Sequence, residues 1–281
     1  MTQETRIERI DHPDGVVELA LARPEKMNAL DPAMFEALLA HGERLRGERG
    51  VRAVVIAGRG NAFCAGLDMG SFARMGEGRQ GSGSVLPPLG GGDADLLVRT
   101  HGIANAAQQA VLIWREVPVP VIAAVHGVAF GGGLQVALGA DIRLVAHDAK
   151  LSVMEIKWGL VPDMGGMVLM RELARADVVR ELTFSGRIFS AEEALRLGFA
   201  TRLAADPRAE ALSLAREIAN KNPDAIRAAK RLLNASHTLD AGGLLIQESK
   251  EQQALIGSPN QVEAVRANME KRAPVFSASG S

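Results

Sequence analysis

The chain has 281 residues, 47% of them hydrophobic and 23% charged, with 32 Lys plus Arg against 33 Asp plus Glu. This is ample length for a buried core, and the near-zero charge argues against the basic excess of a nucleic-acid binder. One cysteine, Cys64, excludes an internal disulfide framework and a cysteine-only zinc site. It fits a reducing compartment, and because the opening MTQETRIERIDHPDG carries no apolar signal region, the expected location is cytoplasmic.

The run VVELAL (Val16–Leu21) reads as the first strand. Asp31 then caps a helix with Pro32 at its first position, running to Arg46 with Met34, Leu38, Leu39 and Leu45 on one face. Residues 51–57 (VRAVVIA) form a second strand, apolar enough to be buried on both sides. Residues 75–93 hold seven glycines and two prolines among few large side chains, and read as a mobile insertion. Asp93 or Asp95 is expected to open a long helix reaching Glu116. Residues 119–125, 141–146 and 151–156 read as three more strands. From Ala191 onward only helices are expected, capped at Ser190 (with Glu193 completing a capping box), Asp206, Asn222 and Asp240. Residues 117–140 run uncharged for long enough to resemble a membrane span. Pro118, Pro120, three glycines, His126 and Gln135 argue instead for a buried strand, a turn and a helix start. The whole reads as an α/β core over residues 1–200, with the insertion at 75–93, followed by a helical region at 201–281.

Two glycine-rich turns have the composition of an anion trap: residues 62–69 (AFCAGLDM) and residues 126–135 (HGVAFGGGLQ). Three glycines before an apolar helical run leave backbone N–H groups uncovered at a helix start, where negative charge is favoured. A carbonyl oxygen turning into an enolate is well served there. Close packing of a helix on a strand is an equally good explanation of the three glycines alone. The G-x-G-x-x-G, G-x-x-x-x-G-K-[ST] and G-x-S-x-G patterns are absent, which removes dinucleotide, phosphate-loop and nucleophile-elbow readings.

Five segments in order carry a family resemblance: RPEKMNAL, AFCAGLDM, PVIAAVHGVAFGGGLQVALGADIRL, KLSVMEIKWGLVPDMGG and EAVRANMEKRAPVF. The chain resembles the enoyl-CoA hydratase/isomerase (crotonase) superfamily over nearly its whole length, apart from the insertion and the last few residues. The resemblance implies a spiral of ββα units with a helical C-terminal trimerisation region, and a homotrimer or hexamer. It implies an acyl-CoA thioester as substrate, coenzyme A being part of that substrate, with no separate cofactor, metal, nucleic acid or membrane partner.

The resemblance also assigns roles. The backbone N–H groups of Leu67 and Gly132 are implied as oxyanion donors, each worth roughly 3 kcal/mol of barrier by analogy with other oxyanion holes. Glu155 is the implied acid/base. Hydratases of the family carry a second glutamate at the position of Gln135, and an amide cannot trade protons. Addition of water needs two such groups, so the pattern favours moving a double bond, which one carboxylate can do. Asp163 sits where dienoyl-CoA isomerases place a catalytic aspartate, although that subgroup's further aspartate falls at Gln135. Lys26, Ala65, Asp68, Gly131 and Gln135 are implied substrate or coenzyme A contacts, with Lys271 and Arg272 as further candidate cations.

Blander roles compete for several of these. Asp163 also fits a turn after Pro162, Gln135 a buried structural amide, and Asp68 a cap. Trp114 and Trp158 read as core, His126 as a packing histidine, and Cys64 has no nucleophilic role. The leading expectation is an enoyl- or dienoyl-CoA isomerase; the alternative is an enoyl-CoA hydratase adding water to 2-enoyl-CoA. Hydrolysis or dehalogenation of a CoA ester on the same scaffold stays open. A non-catalytic RNA-binding role is disfavoured by a pI near 6.6 and 4% aromatics.

Overall fold

The computed structural model describes residues 5–76 and 96–278. Most of the expected insertion, residues 77–93, lies outside the described residues, as do the expected caps Asp93 and Asp95.

The described chain opens with β1 (Ile7–Asp11) and β2 (Val16–Leu21), which pair antiparallel. A 3-10 turn (Pro24–Lys26) leads to α1 (Pro32–Gly47), where Asp31 accepts a hydrogen bond from the Met34 N–H at 2.8 Å. Then come β3 (Ala53–Gly58), α2 (Met69–Gly76), α3 (Ala106–Glu116), β4 (Val121–Val125), β5 (Val128–Phe130) and α4 (Gly132–Gly139). They are followed by β6 (Ile142–Ala146), β7 (Lys150–Ser152), a second 3-10 turn (Glu155–Trp158), α5 (Gly166–Leu173) and α6 (Ala176–Ser185). The chain closes with β8 (Phe189–Ser190), α7 (Ala191–Leu197), β9 (Arg202–Ala204), α8 (Pro207–Ala219), α9 (Pro223–Ala235), α10 (Ala241–Leu255) and α11 (Pro259–Met269).

Six strands form one sheet in the order β1-β2-β3-β4-β6-β9, parallel except for the β1–β2 pair. The central strands are buried on both faces; β3 and β4 have the unbroken apolar sequence this requires, and β2 has it apart from the ion-paired Glu18. On one face Val54, Ile56, Ala123 and Val125 join the main core with Leu38 and Leu45 of α1 and Trp114 of α3. On the other, Val55, Ala57, Ile122 and Ala124 lie under Ala211, Leu212 and Ala215 of α8. The alanines on both sides let helix and sheet approach closely.

A smaller sheet, β5-β7-β8, stands beside the ends of these strands. It positions the site. After β3 and β4 the chain does not scatter into separate loops, because the two segments bond to each other. Phe63 N–H donates to His126 O at 2.9 Å, Cys64 N–H to Val128 O at 3.0 Å, and Phe130 N–H to Cys64 O at 3.1 Å. The two glycine-rich turns are thereby held side by side.

The stretch 117–140 is strand, turn, strand and helix, and no helix among the described residues is long and apolar enough to cross a membrane. Four expectations need correction. The third helix starts at Ala106, because Asn105 and Gln108 form a reciprocal capping box and residues 101–104 close a turn before it. The strand expected over 151–156 stops at Ser152, and Glu155 opens a 3-10 turn that ends at Gly159 with φ +71°. The C-terminal part is not helices alone, since Arg202–Ala204 adds a parallel edge strand beside β6. Ser190 caps α7 as expected, accepting from the Glu193 N–H, but the Glu193 carboxylate goes to Arg187, at 2.8 and 2.9 Å. Strands β1 and β5 escape a sequence reading, because the first is rich in charge and the second is three residues long.

Lys230 of α9 fastens this helix to the core. Its ammonium is buried and donates to Trp114 O and Val119 O at 2.9 Å each and to Asp141 Oδ2 at 2.7 Å. Lys230→Met leaves two carbonyls and a carboxylate without that donor. It is expected to cost about 3 kcal/mol, read as a lower urea midpoint at unchanged slope.

Candidate active site

Leu67 follows Gly66, whose φ of +91° is open to glycine and whose absent Cβ would lie 2.6 Å from Phe130 O. The Leu67 peptide is fixed by Leu30, which it meets as an isolated parallel bridge. Leu30 N–H donates to Gly66 O at 2.7 Å and Leu30 O accepts from Asp68 N–H at 3.0 Å. In such a bridge the central residue's own N–H points away from its partner. Among the described residues the Leu67 N–H has no acceptor, and Leu67 lines a cavity of about 710 Å³.

Gly132 is the first residue of α4, so its N–H is one of the helix's orphan donors. It too has no acceptor among the described residues and lines the same cavity. Gly66 and Gly132 are close: the Cβ position at Gly66 falls 3.7 Å from Gly132 N. The three glycines therefore divide, with Gly132 leaving an N–H without an acceptor among the described residues. Gly133 serves packing, since a Cβ there would lie 2.3 Å from Cys64 O.

Glu155 is buried at 9% exposure and lines the cavity. Its Oε1 accepts from Gln135 Nε2 at 2.6 Å, and its Oε2 has no hydrogen-bond partner among the described residues. The Gln135 amide can be oriented in one way only. Its Oε1 accepts from Met164 N–H and Gly166 N–H, both at 2.9 Å, which leaves the NH2 group for Glu155. Burial pushes the Glu155 carboxyl above the ordinary glutamate range, and Asp163 adds to the rise. Hydrogen bonds from its own backbone amide and from Gln135 pull the other way without cancelling it. Asp163 lines the same cavity and is open to it, and the protein around it also pushes its carboxyl upward by desolvation.

The other expected residues divide. Lys26, Ala65, Asp68 and Gly131 all line the cavity, and the Ala65 N–H is taken by Met27 O. Asp68 is held by Arg23 at 2.6 Å and by the Gly70 N–H at 2.8 Å; burial opposes its charge, but these bonds outweigh it and keep the carboxyl low. That is the capping role, set in the wall of the cavity. Arg272 is paired with Glu263 and Glu270, and neither it nor Lys271 lines the cavity. Cys64 is fully buried, with its thiol pushed up to about 12 by desolvation, and His126 Nε2 meets Gly60 O at 3.0 Å. Trp114 is core, but Trp158 is not: it is 40% exposed, lines the cavity and stacks on Phe72.

Sequence reasoning missed Arg23 and Asn28, both inside RPEKMNAL. Asn28, with φ +55°, accepts from Arg23 N–H at 2.8 Å and donates to Arg59 O and Ala62 O at 2.9 and 2.8 Å. An invested asparagine of this kind shows itself in sequence only as a turn residue.

The enoyl-CoA hydratase/isomerase family model matches residues 16–274. The mitochondrial Delta(3,5)-Delta(2,4)-dienoyl-CoA isomerase of Mus musculus is 30% identical over 263 residues, 92% of this chain and 77% of that protein. The mitochondrial methylglutaconyl-CoA hydratase of the same organism is 30% identical over 282 residues, 97% of this chain and 83% of that protein. Among solved structures, an enoyl-CoA hydratase from Bacillus anthracis superposes with a TM-score of 0.83 at 26% identity, covering 98% of this chain and all of that one. The chain belongs to the enoyl-CoA hydratase/isomerase family and has the crotonase fold.

The raised Glu155 carboxyl has a consequence for stability. A carboxyl whose pKa is higher folded than unfolded favours folding below the unfolded value, and that contribution is lost as pH rises through the folded value. The neutral variant Glu155→Gln is therefore expected to melt higher than the parent near about pH 8, with the gap closing near about pH 4, in paired thermal scans.

Proposed function

We propose that this enzyme moves a carbon–carbon double bond in an enoyl- or dienoyl-CoA. The thioester oxygen sits between the Leu67 and Gly132 N–H groups. Glu155 Oε2 takes a proton from C2, the electrons pass into the carbonyl, and the resulting dienolate is held by the two amides. The proton returns at C4, so a 3-enoyl thioester becomes a 2-enoyl thioester with no atom gained or lost. With a 3,5-diene the negative charge extends to C6, and Asp163 is the second acid that delivers a proton there. Lys26, on the cavity rim, is the cation for a coenzyme A phosphate.

The observation that carries this reading is the state of Glu155. One oxygen is tied to a fixed amide, the other is buried and unpartnered, and Glu155 lines the same cavity as Leu67 and Gly132, whose N–H groups are free among the described residues. A raised pKa suits a carboxylate that must give its proton back. Gln135 supports isomerisation over hydration, because its oxygen is already taken by two backbone donors and its nitrogen by Glu155. It has no lone pair left to deprotonate water. The similarity to a dienoyl-CoA isomerase agrees with this.

A screen of 2-enoyl-, 3-enoyl- and 3,5-dienoyl-CoA tests the proposal. Double-bond migration is expected to exceed hydration, and Glu155→Gln to lower it by about 10²–10⁴-fold. Asp163→Asn is expected to affect the diene far more than the monoene. Fast hydration of the 2-enoyl thioester without migration would overturn the assignment. The acid limb of kcat/KM is expected to lie above the ordinary glutamate value of 4.5. Gln135→Leu removes a bond that lowers the Glu155 pKa, so the limb should move further up.

A further inference from the structure

Phe72 and Trp158 stack with ring centroids 4.3 Å apart and planes inclined by 21°. Phe72 lies on α2, which directly follows the Leu67–Asp68 loop, and Trp158 closes the turn that Glu155 opens. The pair thus bridges the oxyanion loop and the base across the cavity that both rings line. Trp158 keeps 40% of its surface exposed. Lys157 Nζ lies 5.4 Å from its centroid and anchors it further. Four of the chain's ten methionines, Met27, Met69, Met154 and Met164, line the same cavity. Thioethers and aromatic faces are polarizable and adapt to flat π-systems, with which they interact beyond simple burial. A saturated chain against the same wall gains burial alone.

We propose that the Phe72–Trp158 stack, backed by these methionines, is the specificity-determining wall of the site and selects flat conjugated or aryl acyl groups over saturated chains. The inference rests on the acyl-CoA reading above and names the class of acyl group.

The test is binding, separate from turnover, measured by calorimetry in the Glu155→Gln protein. The probes are cinnamoyl-CoA and nonanoyl-CoA, which have equal carbon counts. Cinnamoyl-CoA is expected to bind about tenfold more tightly. It should also change tryptophan emission, which reports Trp158 because Trp114 is fully buried. Phe72→Ala and Trp158→Leu should each bring the ratio near one, because the aromatic advantage is lost while both probes lose burial. Trp158→Phe should keep most of the ratio and lose the emission change, and its melting temperature checks that the fold is intact. Equal affinity in the Glu155→Gln protein, or a ratio that survives both truncations, overturns the specificity proposal and leaves the acyl-CoA reading standing. Failure of both probes to bind overturns both.

Discussion

The Gln135 side chain is bonded at both ends inside the protein, and the geometry of the site follows from that. Its oxygen takes the Met164 and Gly166 N–H groups, and its nitrogen holds Glu155. Rotating the amide would leave two buried backbone donors and a carboxylate oxygen unpaired, at a cost of about 1–3 kcal/mol for each group. Gln135 belongs to α4, whose first residue is Gly132. One amide therefore sets Glu155 relative to the helix that begins with the free Gly132 N–H, and relative to the segment that carries Asp163. Reacting groups preset in this way need no ordering on each turnover.

The same amide narrows the chemistry that the proposed assignment relies on. A second carboxylate at 2.6 Å from Glu155 would hold a shared proton between the two. An amide adds no charge, so the rise of the Glu155 carboxyl comes first from burial, with Asp163 as the charged neighbour that adds to it. Under the proposed assignment, one carboxylate is then enough to carry a proton along a conjugated chain, whereas addition of water would call for a second.

Much of this was legible in the sequence, where the signal is local. The central strands were readable because burial on both faces demands unbroken apolar runs such as VIAAV. Leu67, Gly132 and Glu155 were readable because short motifs carry them, and each lies in the cavity. The failures share a physical cause: they depend on contacts between distant segments. No local pattern brings Phe72 to Trp158, or says that Asp68 is claimed by Arg23. The 3-10 turn at Glu155 was hidden for a related reason. LSVMEI has the composition of a strand, but β7 ends at Ser152, and the backbone turns so that the glutamate reaches the cavity.

Two buried glutamates show how the fold separates structure from chemistry. Glu18 is fully buried, and burial alone would raise its pKa. Arg208 grips it with two bonds of 2.7 and 2.8 Å, with help from Arg59, and the carboxyl is held below its ordinary range. It stays ionised and serves as a structural tie between β2 and α8. Glu155 has similar burial, but its side-chain partner is an amide, which stabilises the charge far less than a guanidinium does. Its carboxyl therefore rises, and the cost in stability at neutral pH is borne by networks elsewhere, such as those at Lys230 and Glu18. The choice of partner, arginine or glutamine, decides whether a buried carboxylate stays ionised as a structural tie or can exchange its proton.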